Sequence, residues 1–114
     1  MLLLRGGASP SSTTDEISPA ELQAYLAPYL RWLAELEQSG SLLHARRLAA
    51  TGSVVLRPRG DAVVVLDGPY TESKDIVGGY YLIAAATHQE AEAIARRCPH
   101  LDNGGAVELR RVAD

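Results

Sequence analysis

The order of patterned segments predicts an α+β chain: a βαββαβ core of four strands and two helices, with a β-hairpin inserted in its middle. Three observations predict it. Short aliphatic and β-branched runs bounded by Gly, Pro, Asp and Ser alternate with two segments whose apolar residues recur every three or four positions. Both helical segments open on a capping sequence, Ser18-Pro19-Ala20-Glu21 and Thr87-His88-Gln89-Glu90. Turn residues, Pro58-Arg59-Gly60-Asp61, separate the two runs of the hairpin. At 114 residues the chain fits one domain, residues 1–114, with room for a single core that needs no metal or disulfide.

Met1 to Arg5 reads as the first strand, and Gly6 to Ile17, rich in Ser, Thr and Gly without apolar period, as a surface loop. From Ser18 a helix is expected. Its stripe of Leu22, Tyr25, Leu26, Tyr29, Leu30, Leu33 and Leu36 should pack on the sheet, and Gly40 is placed to end it. Pro28 removes one backbone bond inside this helix, at about 3 kcal/mol in an ordinary interior, so a kink near Ala24 to Pro28 is expected. Ser41 to Leu48 follows as a strand, then Ser53 to Arg57 and Ala62 to Asp67 as the hairpin, and Gly79 to Ala86 as the next strand. In the second helix Ala91, Ile94, Ala95 and Cys98 form one narrow apolar face before Pro99 stops it, and Ala106 to Val112 closes the chain as a strand.

Alternation assigns faces. Val107 and Leu109 take one side of the last strand and Glu108 and Arg110 the other, while Tyr80 and Tyr81 point in opposite directions. Strands with useful residues on both faces, and too few helices to cover both sides of a sheet, predict a homodimer.

A net charge of −3 and the lack of a basic patch interleaved with aromatics argue against a nucleic-acid partner. The apolar opening Met1-Leu2-Leu3-Leu4 is too short for a signal peptide or membrane span, so no membrane association and a cytoplasmic location are expected. Cys98 is the single cysteine, which forbids an internal disulfide and a Cys-rich metal motif; a half-buried apolar role near a helix end suits it. No metal or cofactor is expected.

Candidate chemistry gathers around the segment from Asp67 to Tyr81. Asp67, Glu72 and Asp75 surround Lys74, the only lysine in the chain, and carboxylates beside a lysine can run acid–base chemistry; equally, Asp67 can cap its own turn while Glu72 and Lys74 form a modest ion pair. His44, on a strand, shares its side with Leu42 and Arg46 by alternation and is the histidine best placed to face a cavity. His88 in a first helical turn and His100 after Pro99 read as exposed, without metal-ligand spacing. No Gly-x-Ser-x-Gly elbow or phosphate-binding Gly-rich loop occurs.

Asp67-Gly68-Pro69-Tyr70, Glu72 and Lys74 two residues apart, then Gly78-Gly79-Tyr80-Tyr81-Leu82 resemble the signature of the DGPF group in the YCII-related superfamily, with Tyr70 where that group usually has Phe. Met1 to Gly6, Ala95 to Pro99 and Gly105 to Val112 extend the resemblance over nearly the whole chain. It implies a ferredoxin-like fold that pairs into a dimeric α+β barrel. The better-known branch of the superfamily pairs a histidine near the first helix with an aspartate as a catalytic dyad. This chain has no histidine before His44, so that assignment is not carried over.

Two function classes follow. The first is a dimeric module that binds a small ligand or a protein partner; proteins resembling this group are often encoded beside extracytoplasmic-function sigma factors, which implies a regulatory association. The second is an enzyme using the barrel cavity for proton transfer or elimination on a small organic acid, with His44, Asp67 or Glu72 as base and Lys74, Arg46 or Tyr70 stabilising an anionic oxygen. In either class the site is expected where the Asp67–Lys74 loop meets the barrel mouth, with Arg46 and Lys74 favouring an anionic ligand and Tyr70 and Tyr80 forming flat walls.

Overall fold

Strand β1 (Leu2–Arg5) is the centre of assembly: it pairs antiparallel with β5 (Val77–Ile83) on one side and with β6 (Ala106–Leu109) on the other. Strand β2 (Leu42–Arg47) adds antiparallel to the far side of β5, giving the order β2-β5-β1-β6. The structure, a computed structural model, describes residues 1–7, 18–49, 52–68 and 76–113. Helix α1 (Pro19–Gln38) links β1 to β2, and helix α2 (His88–Arg96) links β5 to β6. Two helices on an all-antiparallel sheet of this order are consistent with a ferredoxin-like fold. Strands β3 (Val54–Arg59) and β4 (Ala62–Asp67) form a separate two-stranded sheet that falls between β2 and β5 in the chain.

Both helices start where their caps dictate. Ser18 Oγ accepts from the Glu21 amide and Thr87 Oγ1 from the Glu90 amide, each satisfying one amide that the helix leaves open, and Glu90 Oε2 reaches back to the Ala86 amide. Helix α1 ends on Gly40 at φ +75°, where the Ser41 amide donates to the Leu36 carbonyl. It runs through Pro28, which leaves the Ala24 carbonyl without its intrahelical donor.

The core lies between the helices and one face of the sheet. Leu2, Leu4, Trp32, Leu36 and Cys98 are buried, with Tyr29, Leu42, Tyr81, Ile83, Ile94, Val107 and Leu109 packed around them. Trp32 meets the ring of Tyr81 edge-on, centroids 4.8 Å apart and planes at 68°. The inward face of α1 is therefore Tyr29, Trp32 and Leu36, and the expected stripe needs correction at Leu30, which is 59% exposed. At about 100° per residue, a face centred on Trp32 turns Leu30 to solvent.

Several boundaries also differ from expectation. The hairpin strands run to Arg59, leaving Gly60-Asp61 as a two-residue loop with positive φ only at Gly60 (+61°), the sign pattern of a type II′ turn. Pro58 fits inside β3 because that strand has one neighbour, so its missing amide breaks no second ladder. The α2 helix stops at Arg96, and Pro99 opens a 3₁₀ turn, Pro99–Asn103, before β6, which ends at Leu109. A bulge between Leu42 and His44 sends Leu42 into the core, although strict alternation gives it the side of His44.

The double glycine divides into two unlike positions. A Cβ on Gly79 comes 3.2 Å from the Arg46 carbonyl oxygen of β2, whereas one on Gly78 meets nothing within 4 Å. Gly79→Val is therefore expected to destabilise by about 2 kcal/mol, visible as a lower midpoint in urea, while Gly78→Ala stays close to wild type. Equal midpoints for the two variants refute a steric requirement at Gly79. A valine at Ser73, in the segment that precedes the double glycine, should by comparison be tolerated; Ser73 lies outside the described residues.

Candidate functional site

Among the described residues, helices cover only one face of the sheet. Because Leu2, Leu4, Tyr81, Ile83, Val107 and Leu109 point into the core, their strand neighbours Leu3, Arg5, Tyr80, Leu82, Glu108 and Arg110 point to the other side. On β2, His44 and Arg46 share that helix-free side, opposite Leu82 and Tyr80 respectively. Arg46, Tyr80, Leu3 and Glu108 thus form one row across all four strands.

Three of the sequence candidates meet here. Tyr80 Oη lies 2.9 Å from His44 Nδ1, and the two rings stack with centroids 5.6 Å apart and planes at 27°. Arg46 holds its guanidinium on the Ala45 carbonyl at 2.7 Å, and its backbone is the cross-strand partner of Tyr80. Farther along the face, Arg5 Nε donates to Glu108 Oε1 at 2.9 Å and Arg110 Nε sits 3.4 Å from Glu108 Oε2. The face thus offers an imidazole, a phenol and several guanidinium groups close to solvent, a set able to hold a small carboxylate by charge-assisted hydrogen bonds or to exchange a proton with it.

Asp67 does not join this group. It is exposed at the end of β4, opposite Val54 in the other sheet, and no hydrogen bond or ion pair connects it to His44 among the described residues. Tyr70, Glu72, Lys74 and Asp75 lie outside the described residues. No cluster of three or more His, Cys, Asp or Glu side chains able to hold a metal occurs among the described residues.

His88 is exposed, as its place in the first turn of α2 suggests. His100 is not: it is 5% exposed, a correction to its reading as an exposed loop histidine. Its Nε2 lies 2.9 Å from the Arg5 carbonyl, which can only accept, so Nε2 carries the proton. In the neutral ring Nδ1 then accepts from the Tyr29 hydroxyl at 3.1 Å, and Tyr29 Oη accepts from Asn103 Nδ2 at 2.7 Å. This chain of bonds ties α1, the 3₁₀ turn and the end of β1 together. Burial, above all, holds the Tyr29 phenol well over its ordinary value, with Tyr25 adding to the effect and Asn103 opposing it. The signal for this site in the sequence is glycine at both strand junctions: a Cβ on Gly7 or Gly105 collides with the imidazole of His100.

Cys98 is buried fully, beyond the half-burial expected, and burial first of all pushes its thiol up to about 11, so it stays protonated and poorly nucleophilic near neutral pH. A concavity of about 250 Å³ opens between the end of α1 and α2 over Trp32, Leu36 and Ile94, with the Glu35–Arg97 ion pair at 2.7 Å on its rim. It is smaller than the roughly 300–1,000 Å³ of ordinary ligand pockets. No helix among the described residues is long and apolar enough to cross a membrane.

Fold and site together define a small α+β protein whose antiparallel sheet carries its helices on one face and a charged, histidine-bearing surface on the other. The chain belongs to the YCII-related domain family, whose family model matches residues 8–114. It is similar to an uncharacterized protein of Rhizobium meliloti (strain 1021), 34% identical over 70 residues that make up 60% of this chain and 56% of that relative's length. It is also similar to a solved structure, 5-chloro-2-hydroxyhydroquinone dehydrochlorinase (TftG) from Burkholderia phenoliruptrix AC1100 in complex with 2,5-dihydroxybenzoquinone. The identity there is 20% and the TM-score 0.42, over 99% of this chain and 96% of that one.

Proposed function

We propose that the protein is a cytoplasmic homodimeric module, each half ferredoxin-like with the β3–β4 hairpin as an insert, that binds a small carboxylate-bearing ligand on the helix-free sheet face in a regulatory or partner-binding role. The observation that carries this reading is the group His44, Tyr80 and Arg46, placed side by side on a face that no helix or strand among the described residues covers. A sheet face without helices is a surface to be closed by a second sheet, and closing two such faces makes a barrel lined by these residues. Tyr70 and Lys74 follow β4 in sequence and are proposed to complete the mouth.

Arg46→Met should weaken binding of a small carboxylic acid by about tenfold, because a guanidinium–carboxylate bond is charge-assisted, and Tyr80→Phe should weaken it by less. His88→Ala, at the exposed start of α2, serves as the control. Calorimetric titration with a panel of small mono- and dicarboxylic acids reads the effect; a bound acid whose affinity ignores both Arg46→Met and Tyr80→Phe rejects this face as the site. A second reading, proton transfer or elimination on such an acid, is favoured by the Tyr80–His44 hydrogen bond, since a phenol against an imidazole can relay a proton. Turnover of a bound acid that His44→Gln abolishes, with affinity retained, selects it.

A further inference from the structure

Among the described residues, the β3–β4 ribbon is an arm with little to rest on. Neither strand joins the four-stranded sheet, and its tertiary contacts with the other elements are sparse. The radius of gyration is 16.2 Å, against about 13 Å for a compact chain of this length, and the extents are 48 × 42 × 20 Å. A two-stranded ribbon alone in water is marginal and needs an apolar surface to lie on.

Its register shows which side needs one. Val54, Leu56, Val63 and Val65 share one side with Pro58 and Asp67, and those four aliphatic side chains are 58–65% exposed. Arg57 and Arg59 share the other side, with Val55 and Val64 half-buried between them. The more exposed apolar side therefore carries a single charged residue, and that residue is acidic.

We propose that this side of the arm docks along the β2 border of the helix-free sheet face of a second copy of the chain, beside the barrel that the two faces close, so that Asp67 of one copy reaches Arg46 of the other. The inference rests on the dimeric reading above and adds the element that holds the dimer. Charge complementarity supports it: the sheet face presents Arg5, Arg46 and Arg110 against Glu108 alone among its described residues, and the arm side presents Asp67. Mutual cover supports it as well, because the described residues of one chain display both an uncovered arm and an uncovered sheet face, and a twofold rotation brings each arm to the other copy's sheet. Six-residue strands span about 20 Å. Two such contacts supply several hundred Å² each, on the scale of the roughly 800 Å² per partner that a stable dimer buries.

Sedimentation velocity on the whole protein tests this. Wild type is expected to sediment as a dimer at low micromolar concentration, and Leu56→Ser with Val65→Ser should shift it to monomer with the far-UV circular dichroism retained. Asp67→Arg, an exposed change that leaves the apolar side intact, should weaken the dimer by about tenfold or more at low salt, and adding Arg46→Asp to it should restore most of the loss. A dimer unchanged by Asp67→Arg and by the double serine variant overturns the arm inference and leaves the dimer standing; a wild-type monomer overturns both. Leu56→Cys that links readily to itself as a disulfide dimer reveals arm-on-arm packing and also overturns docking on the sheet.

Discussion

Trp32→Ala is expected to lower stability by about 3–5 kcal/mol, the range for deleting a large aromatic from a core that collapses only partly into the space. Trp32 is 4% exposed, and it joins three structures at once: its edge meets Tyr81 of β5, its helical neighbour Leu36 is buried beside it, and it floors the cleft toward Ile94 of α2. Leu2 and Leu4 are enclosed in the same core, so they have little freedom to move into the void. Urea unfolding followed by circular dichroism reads the change, because the variant lacks the tryptophan that fluorescence needs. A loss under about 1 kcal/mol contradicts the placement of Trp32 in the core, as only a surface position tolerates so large a deletion at that cost.

Gly105→Ala should cost about 3 kcal/mol although it adds one methyl group. The new Cβ overlaps Nε2, Cδ2 and Cε1 of His100, a buried ring held by the Arg5 carbonyl and the Tyr29 hydroxyl. The ring can escape only by giving up those bonds, so overpacking and the loss of a buried hydrogen bond arrive together. His100→Ala in the same background clears the space; Gly105→Ala should then add little further loss, a coupling that a double-mutant cycle measures. Additive effects of the two changes place the methyl group elsewhere.

Local chemistry made much of the architecture legible. Ser18 and Thr87 cap as their sequences dictate because a cap is decided within four residues, and Gly40 ends α1 for the same reason. Tyr80 and Tyr81 separate by alternation alone, as do Glu108 and Val107. What the sequence obscured was set by long-range packing. The inward face of α1 settles on Trp32 and abandons Leu30, since seven apolar positions offer more stripe than one sheet can cover. His100 reads as exposed because it follows Pro99 in an apparent loop, while Tyr29, Arg5 and Gly7, which help to bury it, lie far away in sequence. For the candidate site, the pairing of His44 with Tyr80 needed the register of two strands 36 residues apart, which no local pattern encodes.

The bulge at Leu42/His44 also governs what the sheet cannot do. Strand β2 forms one border of the four-stranded sheet, and the other border, β6, is only four residues long. A foreign strand seeking to extend the sheet past β2 meets a kinked ladder and the cations Arg46 and Arg47, and past β6 it finds too few amides to register against. Open-ended stacking of chains edge upon edge is thereby disfavoured at both borders, which leaves the broad face as the surface through which this sheet can meet another without growing into a fibre.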